Sequence, residues 1–287
     1  MALHRLPTYF LSHGGGPWPL LKDLRPGVYD QLESALQDTR RELGELPRAM
    51  LMISGHWEAD RFPLSSSAHP LMYYDYSGFP AHTYRIRYDA PGDPNLANTA
   101  ATMLERGGLP SGLDPRRGYD HGTFSLMHVL YPEAELPLVQ LAMKADFDPA
   151  EHIRVGELRD QGVLIVGSGF SFHDTRSIMS GAGRLPSAIF DAWLNKTLVE
   201  SSPKDRKQRL IDWADAPAAR AAHPREDHLI PLMVAAGAAG MTPERASITR
   251  EHSWEQSQHQ AIGSANRSFQ RRNSTRSAPP DRANPTF

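Results

Sequence analysis

Short, nearly unbroken apolar runs alternate along the chain with longer stretches whose apolar residues recur every three or four positions. The runs are TYFLS (8–12), AMLMIS (49–54), LPLVQLAM (136–143) and VLIVGS (163–168). Their length and lack of polar alternation read as strands buried on both faces. Between them the period changes. Val28, Leu32, Leu36 and Leu43 share roughly one face of a helix over 28–43. The segment NLANTAATMLERGG (95–108) reads as a helix ended by Gly107, and PAEHIRVGELRDQG (149–162) as another. Residues 185–216 and 228–240 also carry helical patterns, whereas TYRIRYD (83–89) alternates as a half-exposed strand does. Strands alternating with helices predict an α/β fold: a single domain on a mostly parallel or mixed central sheet flanked by helices. No internal repeat is visible.

From Gly263 onward the pattern fails. GSANRSFQRRNSTRSAPPDRANPTF is rich in Ser, Arg, Asn and Pro and poor in core residues. Such a composition cannot bury enough apolar surface to offset ordering entropy. The expected organisation is a catalytic domain over 1–262 and a disordered tail over 263–287.

Composition narrows the chemistry. The 287 residues carry a net charge of −2, so no charge excess points to nucleic acid or an anionic membrane surface. No run is long and apolar enough to cross a bilayer, and the first residues lack a signal-peptide pattern. A cytoplasmic protein is expected. There is no cysteine, so a metal would have to sit on His, Asp or Glu, and 13 histidines are available.

Three of those histidines follow apolar runs: His13 after TYFLS, His56 after AMLMISG and His173 after VLIVGSGFSF. In open α/β sheets ligands bind at the carboxyl ends of parallel strands, so these imidazoles should gather at one edge. A single histidine after a strand means little; three beside glycines and serines mean more. His228 stands at the start of an apolar helical segment, as a ligand or as a plain helix-start residue. His121, beside Asp120 and Gly122, precedes a helix and could reach the same cleft. His128 reads as a core or surface residue. The remaining histidines fall in polar or loop-like segments and read as structural or solvated. The glycines of SHGGGPW match neither a Walker loop nor a dinucleotide fingerprint, because Pro17, Trp18 and Pro19 replace the residues those loops need. Room beside a metal ligand at His13 fits them better.

At these residues the chain resembles the class III extradiol ring-cleaving dioxygenases, in the branch similar to DOPA 4,5-dioxygenase. SHGGGP (12–17), ISGHWE (53–58), YDHGTF (119–124), GSGFSFHD (167–174) and EDHLIPLMVAAGAA (226–239) occur in the family's order. The resemblance implies that His13, His56 and His228 are metal ligands, that His173 is the catalytic acid and base, and that His121 contacts substrate. Glu226 and Asp227 leave a carboxylate alternative for the third ligand. It also implies one divalent ion per chain, with Fe(II) for ring opening and Zn²⁺ as the ion expected to be found in the site. The partners would be a small aromatic diol and O2. The family's usual short apolar ending is not legible after residue 250. The rival readings are a zinc-dependent hydrolase and a non-enzymatic binding protein on the same fold.

Overall fold

In the computed structural model, which describes residues 6–44, 46–156 and 162–240, the four apolar runs supply four strands of one six-stranded sheet. Its strands are β1 (Thr8–Ser12), β2 (Ala49–Ala59), β3 (Phe62–Ser65), β4 (Ser111–Asp114), β5 (Leu138–Lys144) and β6 (Val163–Gly169), in the order β1-β6-β2-β5-β3-β4. β1, β6, β2 and β5 run parallel, and β3 joins β5 antiparallel while pairing parallel with β4. The predicted α/β class with a mostly parallel or mixed sheet is the observed one.

Both faces of β1, β6, β5 and the first half of β2 are covered, which is why these segments are largely apolar. Met50 and Met52 face one core with Leu164 and Val166, beneath α1 (Asp30–Leu43) and α3 (His121–Leu130). Leu51 and Ile53 face the other with Ile165, beneath α2 (Pro94–Arg106), α4 (Pro149–Arg154) and α9 (Ile230–Ala239). Four further helices, α5 (Thr175–Ser180), α6 (Arg184–Asn195), α7 (Pro203–Ile211) and α8 (Ala219–Ala222), connect β6 to α9. Helix α9, IPLMVAAGAA, is apolar on nearly every side because it lies buried against the sheet. Its approach depends on Gly169, where a Cβ would fall 2.1 Å from the His228 carbonyl oxygen. That carbonyl accepts the Phe170 N–H at 2.9 Å and so ties the start of the helical segment to the end of β6.

Three local expectations shift. Residues 83–89 form no strand: Ala81–Arg85 is a 3-10 helix, and the extended chain beyond it buries Ile86 and Tyr88 without ladder pairing. The helix expected over 149–162 is described as far as α4 at Arg154, with residues 157–161 outside the described residues. The tail expected over 263–287 also lies outside them. Among the described residues no helix is long and apolar enough to cross a membrane.

Candidate active site

The carboxyl ends of β1, β6 and β2 bring the expected histidines together. His13 follows β1 directly and is 1% exposed. The chain then turns through Gly14 at φ 69°, a left-handed conformation, with the Trp18 ring packed where a Cβ would stand. The Trp18 indole N–H donates to the His13 carbonyl at 2.7 Å and fixes that turn. His56 lies inside β2 rather than beyond it. Its segment bulges, since the pairing of β2 with β5 slips between Ile53 and Glu58. A bulge of this kind re-aims a side chain at a sheet edge. His228 comes from the turn before α9, tied to β6 as described.

The three rings meet through their Nε2 atoms. His13 Nε2 is 3.1 Å from His56 Nε2, which is 3.2 Å from His228 Nε2. The hydrogen bonds behind His13 decide where its proton sits. The single hydroxyl proton of Ser168 goes to the Gly122 carbonyl at 2.6 Å, so its oxygen accepts from His13 Nδ1 at 2.9 Å. His13 therefore carries its proton on Nδ1 and a bare lone pair on Nε2. The Nδ1 atoms of His56 and His228 face carboxylates, Asp75 Oδ2 at 3.3 Å and Asp227 Oδ2 at 3.1 Å, which favours the same tautomer in each. Neither contact is a well-aligned hydrogen bond, and Asp75 Oδ2 and His228 Nδ1 find no better partner. Burial, then repulsion from the neighbouring rings, holds His13 well below the usual imidazole range. The same order of causes lowers His228, and burial brings His56 to about 4. Three neutral rings thus turn their Nε2 atoms toward one another.

That arrangement fits a metal ion. Two nitrogens bonded to one ion at about 2.1 Å lie no more than about 4.2 Å apart, and both measured gaps fall inside this limit. A hydrogen bond across either gap would need one ring to move its proton to Nε2, away from Ser168 or from a carboxylate. The second-row carboxylates match the usual support of metal-bound histidines. Two other groups of potential ligands overlap this one: His56, Asp75 and His121; and His173, Asp227 and His228. Glu226 points elsewhere and pairs with Arg220 at 2.8 Å.

His121 and His173 flank the cluster. His121 opens α3, with its ring centroid 3.9 Å from that of His56, and both its backbone N–H and its Nδ1 reach Asp75 Oδ1 at 2.9 Å. His173 stacks on His228 with centroids 3.5 Å apart and lies parallel to Phe170 at 5.4 Å. Its backbone N–H donates to the Ala222 carbonyl at 2.8 Å, and the buried His223 holds the Ser171 carbonyl at 2.9 Å, so this loop is pinned on both sides. Phe170 is edge-on to His13 at 4.7 Å, and Tyr76 is edge-on to His121 at 5.7 Å. Aromatic rings thus border the histidine cluster.

Sequence reasoning did not single out Asp75, Ser168 or the role of Asp120. Asp120 is fully buried and caps α3 through Thr123 N at 3.0 Å. It also accepts from Ser54 Oγ at 2.8 Å, Gln140 Nε2 at 2.7 Å and Arg117 Nη2 at 2.5 Å. It thus locks the start of α3 to β2 and β5. An Asp before a helical segment is a legible cap signal. Asp75, in the loop MYYDYSGFP, carries no such pattern.

Comparison with known proteins accords with this geometry. Residues 7–268 match the family model described as the catalytic LigB subunit of aromatic ring-opening dioxygenase. The chain belongs to that family. It is accordingly an extradiol ring-opening dioxygenase, of a class that depends on a metal and acts on an aromatic substrate with O2. The dioxygenase tasH of Hapsidospora irregularis is 39% identical over 259 residues, covering 81% of this chain and 78% of that protein. The 4,5-DOPA dioxygenase extradiol of Beta vulgaris is 35% identical, covering 86% and 91%. The crystal structure of an uncharacterized Escherichia coli K12 protein, JW3007, superposes with a TM-score of 0.59 at 23% identity, covering 72% of this chain and 81% of that one, a likeness of fold.

Proposed function

We propose that this ring-opening dioxygenase acts on a catechol, of the DOPA-like class, and that its metal is held by His13, His56 and His228. The observation that supports the reading is the convergence of three buried or half-buried histidines on their Nε2 atoms, His13 to His56 at 3.1 Å and His56 to His228 at 3.2 Å. Bound there, Fe(II) would supply the electron transfer between catecholate and O2 that ring opening requires, whereas Zn²⁺ fits the same donors without redox chemistry.

The chain's own residues divide the remaining work. His173 stands beside the ligand His228 without being needed for the three-nitrogen set. An imidazole there can take a proton from a catechol hydroxyl and return one later in the cycle. His121, held by Asp75 beside His56, is the substrate-contacting histidine in this reading. Phe170 and Tyr76 give the substrate ring apolar walls to lie against. Cytoplasmic location goes with this reading as an expectation.

Oxygen uptake across a panel of catechols, DOPA included, after anaerobic Fe(II) loading tests the proposal. One O2 consumed per ring-opened product, seen as new near-ultraviolet or visible absorption, is the expected result. No uptake with any catechol, together with ester hydrolysis by the Zn²⁺-loaded protein, would replace the reading with the hydrolase.

A further inference from the structure

Helix α9 begins beside the histidine cluster and ends, about 15 Å away, at a second cleft. This cleft of about 670 Å³ opens between the ends of α2, α4 and α9 and the side of α7. Its lining is sharply divided. Leu104, Leu109 and Leu210 contribute apolar surface, whereas Arg154, Arg206 and Lys207 contribute three cations, and no carboxylate lines it among the described residues. Arg154 is accounted for, since it donates to the Gly107 carbonyl at the end of α2. Lys207 is exposed to solvent. Arg206 is different. It is 7% exposed, its Nε is buried without a hydrogen-bond partner, and no acidic residue among the described residues pairs with it. A guanidinium offers five N–H donors and cannot shed its charge. Burying a guanidinium N–H without an acceptor carries a cost that folded chains avoid.

We propose that the cleft binds an amphiphilic oxyanion. Its carboxylate or phosphate head group is held by Arg206 with Arg154 and Lys207 beside it, and its apolar body lies against Leu104, Leu109 and Leu210. The site is separate from the ring-opening centre and shares with it only α9.

The test uses the full, metal-loaded chain and three probes: octanoate, with head group and body; inorganic phosphate, with head group alone; and 1-octanol, with body alone. Isothermal titration and thermal unfolding should show octanoate binding most tightly and raising the unfolding temperature with concentration. Phosphate should bind more weakly and octanol least. Tightest binding by phosphate would identify a site for the head group alone and overturn the amphiphilic assignment. Arg206→Met should fold as well as wild type without ligand, bind octanoate about tenfold or more weakly, and keep its ring-opening rate. Lys207→Met, an exposed change that leaves the fold alone, should weaken octanoate a few-fold. The proposal is overturned by octanol binding as well as octanoate, or by octanoate affinity unchanged in Lys207→Met. It is also overturned if Arg206→Met unfolds without ligand, because Arg206 would then be satisfied within the chain.

Discussion

Replacing Asp75 by Asn removes one oxygen's charge and acceptor capacity while keeping the side chain's shape, and the structure says which contact fails. Asp75 Oδ1 accepts from both the His121 backbone N–H and His121 Nδ1 at 2.9 Å, and Oδ2 faces His56 Nδ1 at 3.3 Å. Burial pushes this carboxyl up, yet the hydrogen bonds and charge of His121 and the charge of His56 hold it below the usual range. In the Asn variant the amide oxygen must stay toward the His121 N–H, because a backbone donor cannot change roles. The NH2 group then faces His56 Nδ1. A donor there drives the His56 proton onto Nε2, the atom proposed to bind the metal. Loss of such a supporting partner typically costs about 10–100-fold in metal affinity, or about 1.4–2.8 kcal/mol. Competition with a chelator, using Zn²⁺ or anaerobic Fe(II), measures it, and a matched circular dichroism spectrum excludes misfolding. Wild-type metal affinity in Asp75→Asn would refute the tautomer argument.

Other expectations follow from the same geometry. His13→Ala, His56→Ala and His228→Ala should each lose metal by elemental analysis; full occupancy in His228→Ala would move the third ligand to Asp227. His173→Ala should keep its metal while turnover falls about 10²–10⁴-fold, and metal loss instead would make His173 a ligand. Away from the site, buried His152 donates from Nδ1 to the Asp148 carbonyl at 2.6 Å and accepts the Lys144 N–H on Nε2 at 3.1 Å, so it is held neutral. Burial lowers it below 6.5, only partly offset by the Asp148 backbone and by Asp146, Asp148 and Glu151. The unfolded chain therefore binds the extra proton first, and stability present above about pH 6.5 is lost as pH falls. Unfolding temperature against pH should be flatter below 6.5 in His152→Gln than in wild type; parallel curves would show that another group sets the slope. Finally, truncation after residue 262 should leave unfolding temperature and metal content intact, and a drop in either would show that later residues pack, consistent with a family match reaching residue 268.

Much of the scaffold is legible before any coordinates. TYFLS coincides with β1, and VLIVGS with all but the last residue of β6, because strands covered on both faces must be apolar at every position. The same rule misses β3 and β4, four residues each, whose pairing is decided by β5 and by one another. In residues 83–89 the alternation reports burial correctly, since Ile86 and Tyr88 are inside and Arg85 and Arg87 outside. It does not report pairing, because a ladder needs a neighbouring edge that a local pattern cannot reveal.

The candidate site divides along the same line. Residue type and position after a strand single out His13, His56 and His173, because a parallel sheet sends its strand ends to one edge, and the chain's motifs add His121 and His228. Sequence alone also fixes the kind of donor, since a chain without cysteine must use imidazole or carboxylate. Only the tertiary structure decides which histidines share a point and on which nitrogen each carries its proton. Those depend on the β2 bulge at His56, on the contact of Gly169 with the His228 backbone, and on Ser168, Asp75 and Asp227 arriving from separate segments. A tautomer is set by the partner behind the ring, and that partner is a neighbour in space rather than along the chain.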